Sequence, residues 1–446
     1  MSFALFLVYV LFTFLRPVEL LAPDTELRPM LWLWLIAFVA ALARALSKRQ
    51  FAASGVHMVL LGGFTLAIAM SQITNGWFGG GLDAVSNFSS SALLFVLVCM
   101  NVTSIRRLRA TCAVMVVALV FGATMSVYSY HTGYRAEELV LQQGGFSGAR
   151  GDGIVPDSRP VPAHDTSGLY MWRVRWLGFL NDPNDFAQAM VMAMPLLWAT
   201  YRPGRRWRTL MLLVLPSLAL LYAIYLTHSR GAMLGVGAML AVGLRRRLGP
   251  VKSAMMVALL AGAAIVSSMG GEREFSSKEG SAGERIEAWS TGLMMLKSHP
   301  LFGVGYGNFT EHHYLTAHNS FVLCFSELGL FGYFTWLGLL VVTYKGMSRV
   351  MASRTPDSAE FQMAELLRMA FVGFLVCAWF LSRTYQPTLY FLLGLCVAAW
   401  HCAKQGSEAG QLQALRLGPS RWGRGAWGAV FGSLTLVYGF VRLHYA

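Results

Sequence analysis

Residues 209–247 have the sequence TLMLLVLPSLALLYAIYLTHSRGAMLGVGAMLAVGLRRR, in which two uncharged apolar runs, 209–226 and 231–244, flank a short polar link. Three arginines follow the second run. A transmembrane helix needs about 20 mainly apolar residues, and shorter ones also occur. Clustered basic residues beside such a run are typical of a cytoplasmic loop. The stretch therefore predicts two membrane-spanning helices that turn back tightly on the side away from the arginines.

The same pattern continues along the whole chain. Of its 446 residues, 55% are hydrophobic and only 13% are charged, whereas soluble domains have about 25% charged residues. This composition predicts an all-α polytopic integral membrane protein, and it excludes a soluble fold, a disordered chain, a coiled coil and a disulfide-stapled secreted domain. The twelve apolar runs cover residues 3–15, 30–47, 56–73, 90–103, 110–130, 186–200, 209–226, 231–244, 253–269, 318–344, 364–381 and 387–402. A weaker run, 426–441, is either a thirteenth span or an interfacial helix.

The basic residues indicate which side of the membrane each loop occupies. With the N terminus inside, the cytoplasmic loops hold 18 basic and three acidic residues, and the opposite side holds 13 basic and 17 acidic ones. Because Lys and Arg concentrate in cytoplasmic loops, we predict twelve spans with both termini inside. The net charge of +14 then reflects topology, not nucleic-acid binding. The apolar N terminus is expected to be a first span, not a cleaved signal peptide. The six cysteines lie in or beside apolar runs, so no disulfide framework is expected.

Two predicted outer loops are much longer than the other connections, and they concentrate the polar sequence on the outer side. We therefore expect the chemistry there. The predicted segments are transmembrane helices 1–5 (1–130), a periplasmic loop (131–185), transmembrane helices 6–9 (186–269), a periplasmic catalytic loop (270–317), transmembrane helices 10–12 (318–403), and a basic C-terminal tail that includes the weaker run (404–446).

The first candidate functional residue is Arg230, in the link His228-Ser229-Arg230-Gly231. A long basic side chain at a helix end often extends its charge to the interface, and this structural role is the alternative. An arginine on the outer side runs against the positive-inside bias, however. An ionisable residue at membrane depth is by default a functional hypothesis. We therefore interpret Arg230 as a site residue.

The second candidate segment is GERIEAW, residues 283–289. Arg285 and Trp289 are four residues apart, which places them on one face of a helix. The predicted helix continues to Lys297 and ends before Pro300, because the residue before a proline disfavours helical conformation. An amphipathic helix on the membrane surface is the alternative interpretation. Three glycines follow and predict a turn: Gly303, Gly305 and Gly307.

The third candidate is His318, at the point where the second long loop re-enters the membrane. Histidine changes charge near neutral pH, which makes His318 the best candidate for a general base on this side. A histidine that only marks the interface is the alternative. His312, His313 and His318 together raise the question of a metal site, but their spacing matches no zinc pattern. We predict neither a metal nor a cofactor.

Taken in order, three segments resemble the O-antigen ligase and polymerase superfamily: LTHSRGAMLG, then GERIEAW with LKSHPLFGVGYGNF, then AHNSFVLCFSELGLFGYFTWLGLL. These inner-membrane glycosyltransferases take glycans from a polyprenyl-diphosphate carrier. The resemblance covers residues 226–340, about a quarter of the chain. The stretches FLRPVELLAPDTELRPML and RWLGFLNDPNDFAQAM further resemble O-glycosylation ligases associated with exosortase systems.

The resemblance implies roles for the three candidates. Arg230 and Arg285 match the two outer arginines that engage the donor diphosphate, and His318 matches the essential histidine. A planar guanidinium suits bidentate binding of phosphate oxygens. A neutral His318 would accept the proton of the acceptor hydroxyl as it attacks the anomeric carbon. The chain contains no Asp-x-Asp motif, consistent with a metal-independent reaction.

Five further residues are weaker candidates for substrate binding: Trp289, Lys297, Asn319, Asn184 and Asp185. The segment Asn181-Asp182-Pro183-Asn184-Asp185 also predicts a turn and an N-cap for the sixth span. We favour that structural role for the segment over contacts with sugar hydroxyls.

These observations favour a metal-independent glycosyltransferase of the bacterial inner membrane with its active site facing the periplasm. The expected donor is an undecaprenyl-diphosphate-linked glycan, and the expected acceptor is lipid A–core or a protein, with membrane lipids as surroundings and no nucleic-acid partner. An O-antigen or exopolysaccharide polymerase is the closest alternative. A secondary transporter of bicarbonate or another anion and a non-catalytic scaffold are the others.

Overall fold

A computed structural model of the chain describes residues 2–21, 29–48, 55–144, 170–201, 204–269, 280–405, 415 and 419–445. The middle of the first predicted outer loop, the start of the second and most of the basic tail lie outside these ranges. The described residues are mostly helical, which confirms the all-α prediction.

The elements follow one another along the chain with one small sheet among the helices. The first part contains α1 (Ser2–Leu15), α2 (Pro17–Leu21), α3 (Pro29–Lys48), α4 (Gly55–Ile73), α5 (Phe78–Asn101), α6 (Ile105–Thr132), α7 (Ala136–Leu139), β1 (Val140–Gly144), β2 (Tyr170–Val174) and α8 (Pro183–Leu197). The second part contains α9 (Arg206–Thr209), α10 (Leu215–Leu226), α11 (Arg230–Met269), α12 (Gly280–Ser298), α13 (Phe309–His312), α14 (Ser320–Ser353), α15 (Ala359–Ala378), α16 (Pro387–Gln405) and α17 (Pro419–Tyr445).

Within the described residues, seven helices are long and apolar enough to cross a membrane: Gly55–Ile73, Phe78–Asn101, Ile105–Thr132, Arg206–Leu226, Ser320–Ser353, Ala359–Ala378 and Trp422–Tyr445. The Arg206–Leu226 helix joins α9 to α10 through a π-helical turn. Two shorter apolar helices, Ser2–Leu15 and Met30–Arg44, correspond to the first two predicted runs. The remaining predicted runs also fall on helices, those of α8, α16 and α11. α11 is broken at Gly249, whose φ is 78°, and this break lies between the predicted runs 231–244 and 253–269. The chain is a multi-pass membrane protein.

The weaker run at 426–441 forms part of α17, which packs along α14 and α12. Near its start, the ring of Trp427 lies 4.7 Å from that of Phe334 on α14. Near its end, the ring of Phe440 lies 6.1 Å from that of Trp289 on α12. By length and composition α17 can cross the membrane, and such a crossing would put the C terminus opposite the N terminus, unlike the twelve-span prediction.

The first outer loop contains a two-stranded antiparallel sheet that the sequence patterns did not predict. β1 pairs with β2 in the register Val140 to Val174 and Leu141 to Arg173. The following tryptophan, Trp176, is fully buried and donates its indole N–H to the Phe14 carbonyl of α1 at 3.0 Å. This anchor fixes the segment that leads into α8.

The second outer loop is bound to α14 through its glycine turn. The predicted turn is confirmed, because Gly303, Gly305 and Gly307 all have positive φ. α14 is broken at Gly329, whose φ is 61°. Two backbone bonds then join the turn to the break, from Val304 N to Ser326 O at 3.0 Å and from Leu330 N to Pro300 O at 2.8 Å. Glycine has no Cβ to oppose these conformations, so the close backbone approach depends on it.

Candidate active site

The three candidate segments meet at one short connection, residues 379–386, which links α15 to α16. The indole of Trp379 lies 6.0 Å from that of Trp289 and 5.1 Å from the ring of Phe321, between ring centroids. The next residue, Phe380, packs against Gly231, where a Cβ would lie 3.0 Å from the Phe380 Cβ. The 379–386 link therefore contacts all three segments, although they are far apart in sequence.

Ser320, the first residue of α14, ties the same link to the segment that carries His318. Its hydroxyl donates to the Leu381 carbonyl at 2.5 Å and accepts from the Arg383 backbone N–H at 2.9 Å. Its own carbonyl accepts from the Thr384 hydroxyl at 2.7 Å. Three hydrogen bonds on one buried residue leave little freedom between the link and the start of α14.

The backbone on both sides of His318 is held by hydrogen bonds. The preceding carbonyl, that of Ala317, accepts from the Trp289 indole N–H at 3.0 Å. The following side chain, Asn319, caps α14 by accepting from the Phe321 N–H at 2.8 Å. His318 itself has a φ of 46°, a conformation that only a few per cent of non-glycine residues adopt and that is concentrated at functional sites. Neighbouring contacts thus maintain a strained backbone at the candidate base.

Burial and two neighbouring arginines favour the neutral form of the His318 imidazole. Burial lowers the pKa of His318 below its usual 6.5, and the positive charges of Arg285 and Arg383 lower it further, while Asp182 opposes them. A neutral imidazole has a free lone pair and can accept a proton. The structure therefore brings Arg285 and His318, two of the predicted site residues, into one electrostatic environment.

Arg383 is a candidate that the sequence analysis did not select. Its Nε forms an ion pair with the carboxylate of Asp185 at the start of α8, and the two side chains are 27% and 8% exposed. A signal was available, since Arg383 is the one charged residue of a short outer link, as Arg230 is. Asp185, one of the weaker candidates for substrate binding, pairs with this arginine and connects α8 to the link.

Arg173 is a second arginine that was not selected. From β2, its Nε donates to the Thr227 carbonyl at 2.7 Å and its Nη2 donates to Asn184 Oδ1 at 2.9 Å. Thr227 closes α10 three residues before Arg230, the first residue of α11. Arg173 therefore connects the turn that carries Arg230 to the start of α8. Finding it required the β-sheet, which no sequence pattern indicated.

The structural role predicted for residues 181–185 is confirmed. Asp182 is the N-cap of α8 and accepts from the Asn184 backbone N–H at 2.7 Å, with Pro183 in the first turn. The remaining two polar side chains, Asn184 and Asp185, each bind an arginine. The segment thus begins α8 and also binds two arginine side chains, those of Arg173 and Arg383.

The weaker candidates have different locations. Trp289 is 7% exposed, so its indole supports the backbone beside His318 from within the protein. Lys297 is exposed in the last turn of α12, twelve residues beyond Arg285, which is about 18 Å along the helix. Asn319 is fully buried, and its Nδ2 has no partner among the described residues. The structure therefore separates Lys297 from the His318 environment.

The histidines of the metal alternative do not gather. His312 is exposed, whereas His313 is 9% exposed and its Nδ1 accepts from the Leu315 N–H at 3.1 Å. Over the described ranges, no group of three His, Cys, Asp or Glu side chains is placed to hold a metal ion.

Glu327, the charged residue within the tenth predicted span, has a structural role. Its carboxylate accepts from the Tyr385 hydroxyl at 2.8 Å and from the Phe309 backbone N–H at 3.3 Å. It therefore joins the segment that follows the glycine turn to the 379–386 link.

Comparison with known proteins supports one assignment. Residues 215–337 match the family model described as O-antigen ligase. The match includes Arg230, Arg285 and His318, whereas Arg173 and Arg383 lie outside it. No match to a curated protein was found.

Proposed function

We propose that the chain transfers a glycan from a polyprenyl-diphosphate carrier to an acceptor hydroxyl, on the premise that residues 215–337 match the O-antigen ligase family model. The reaction takes place at the periplasmic face of the bacterial inner membrane. The observation that carries the proposal is that the segments bearing Arg230, Arg285 and His318 all contact the 379–386 link.

The donor diphosphate binds to the arginines. A diphosphate leaving group gains negative charge as its bond to the anomeric carbon breaks, and guanidinium groups are suited to hold that charge through paired hydrogen bonds. Arg230 and Arg285 supply this binding. Preorganised cations in a site with little water act more strongly than they would in bulk solvent, so this chain's own side chains stabilise the leaving group.

His318 activates the acceptor. Its neutral ring accepts the proton of the acceptor hydroxyl while the hydroxyl oxygen forms a bond to the anomeric carbon and the bond to the carrier diphosphate breaks. The products are the glycosylated acceptor, the free polyprenyl diphosphate and a protonated His318, which returns its proton to solvent. A positioned base of this kind contributes about 10²–10⁴-fold in rate.

The direct test uses purified protein in detergent with an undecaprenyl-diphosphate-linked glycan and a panel of acceptors: lipid A–core, a protein and a glycan chain. We expect Arg230→Ala, Arg285→Ala and His318→Ala to lose transfer while the proteins still insert and accumulate. Lys in place of Arg230 or Arg285 should restore little, because an ammonium group cannot reproduce the bidentate fork.

Two controls separate this proposal from its rivals. Transfer in detergent cannot be transport, since no compartment exists. If no acceptor is glycosylated, yet proteoliposomes accumulate bicarbonate in a manner that requires His318, the protein is an anion transporter. Lys variants as active as the parent would contradict recognition by guanidinium geometry.

A further inference from the structure

A cavity of about 290 Å³ lies beside the candidate active site, and its lining is polar without being charged. It lies between α5, the glycine-rich loop and the 379–386 link. Its lining residues are Asn87, Ser90, Ser91, Tyr306, Ser382, Tyr385, Gln386 and Pro387. All eight side chains are uncharged, so this cavity does not suit a diphosphate. Hydroxyl and amide groups instead match the hydroxyls of a neutral sugar.

Several of these groups are already held in place. Tyr385 donates its hydroxyl to Glu327 at 2.8 Å, and Ser91 donates to the Tyr385 carbonyl at 2.6 Å. The rings of Tyr306 and Tyr385 lie 4.5 Å apart at 55°. Burial, followed by the charge of Glu327, raises the pKa of Tyr306 to about 12, so its phenol remains a hydrogen-bond donor. The cavity lining thus includes two aromatic rings that lie close together.

Two amides complete the lining and are available to a ligand. Among the described residues, the side chains of Asn87 and Gln386 form no hydrogen bond. Each amide carries two donor hydrogens and an acceptor oxygen, and a sugar hydroxyl can both donate and accept. Polar groups of this kind, placed around aromatic walls, are typical of small-molecule sites.

The cavity is directly connected to the segment that carries His318. Ser382, a lining residue, accepts a hydrogen bond at 2.9 Å from the hydroxyl of Thr316, which lies two residues before His318. The adjacent residue is Arg383, whose charge lowers the pKa of His318. A sugar ring in the cavity would therefore adjoin the atoms that react.

We propose that this cavity is a subsite for a neutral sugar residue, which binds to the amides of Asn87 and Gln386 and packs against Tyr306. That the sugar belongs to the donor glycan or to a glycan acceptor rests on the proposed function. Sugar binding itself does not.

The binding test uses the full chain in nanodiscs and saturation-transfer NMR, with methyl glycosides of glucose, galactose, rhamnose and N-acetylglucosamine as probes and pyrophosphate as the charged comparison. Asn87→Ala and Gln386→Ala should each weaken sugar binding about three- to tenfold, the effect of one neutral hydrogen bond. Ser90→Trp should abolish it by filling the cavity. Gln362→Ala, on the exposed start of α15, is the matched control and should change nothing.

Pyrophosphate binding should be unaffected by these cavity variants and lost in Arg285→Ala. Failure of every glycoside to bind, or equal binding by Ser90→Trp and the parent, would overturn the subsite. Where transfer is measurable, the KM values of Gln386→Ala identify the source of the sugar: a raised KM for the donor indicates the donor glycan, and a raised KM for the glycan acceptor indicates the acceptor. An unchanged KM for both substrates would also contradict the proposal. A protein that binds sugars in the cavity but transfers nothing would leave the subsite standing and remove only the proposed function.

Discussion

Replacing Arg383 by Met would leave the Asp185 carboxylate without its ion-pair partner in a site where that side chain is 8% exposed. Removing one partner of a fully buried pair costs about 3–5 kcal/mol because the remaining charge is uncompensated. Arg383 is 27% exposed, and solvent screening reduces the value. We expect a loss of about 2–4 kcal/mol. At roughly 2 °C per kcal/mol for a large domain, the unfolding midpoint should fall by about 4–8 °C.

Thermal unfolding of the purified protein can be followed with a thiol-reactive fluorescent dye, because all six cysteines are free and buried. The decisive variant is Asp185→Asn/Arg383→Met, which also removes the unpaired carboxylate charge. It should recover at least half of the stability lost in Arg383→Met. Arg106→Met, at an exposed arginine, is the control and should stay within about 0.5 kcal/mol of the parent. A double variant as unstable as Arg383→Met alone would show that packing, not the unpaired carboxylate, determines the effect.

The pH–rate profile of transfer should fall on the acid side with a midpoint below 6.5, because burial and the neighbouring arginines lower the pKa of His318 and a protonated ring cannot accept a proton. In Arg285→Gln, the residual activity should show this fall at higher pH, and an unmoved profile would contradict the electrostatic argument. Gly329→Ala should lower stability by about 1–3 kcal/mol, since the φ of Gly329 is 61°. Gly428→Ala, at a glycine of α17 with open space around it, should raise stability by about 0.5–1 kcal/mol. Thermal unfolding with the thiol-reactive dye measures both changes. Trp289→Phe removes the indole donor beside His318. The expected loss of unfolding free energy is about 0.5–1.5 kcal/mol. The loss in transfer rate, expressed as a free energy, should be larger.

The sequence by itself determined the class of the protein and the local structure around two helix ends. Apolar runs predict helices because backbone groups in a membrane must bond within their own segment. Local rules also sufficed for the cap at Asp182 and for the end of α12 at Ser298, just before His299 and Pro300. The family motifs likewise pointed to the domain that the comparison supports at residues 215–337.

Only the tertiary structure decided how the site is assembled. Arg383 and Asp185 are 198 residues apart, and Arg173 reaches Thr227 across 54. Neither pairing has a local pattern, because the first depends on how α8 packs beside the 379–386 link and the second on how β2 packs against α10. Residue type and spacing can nominate charged groups, but whether a charge meets a partner or a ligand depends on distances between helices, which long-range packing alone determines.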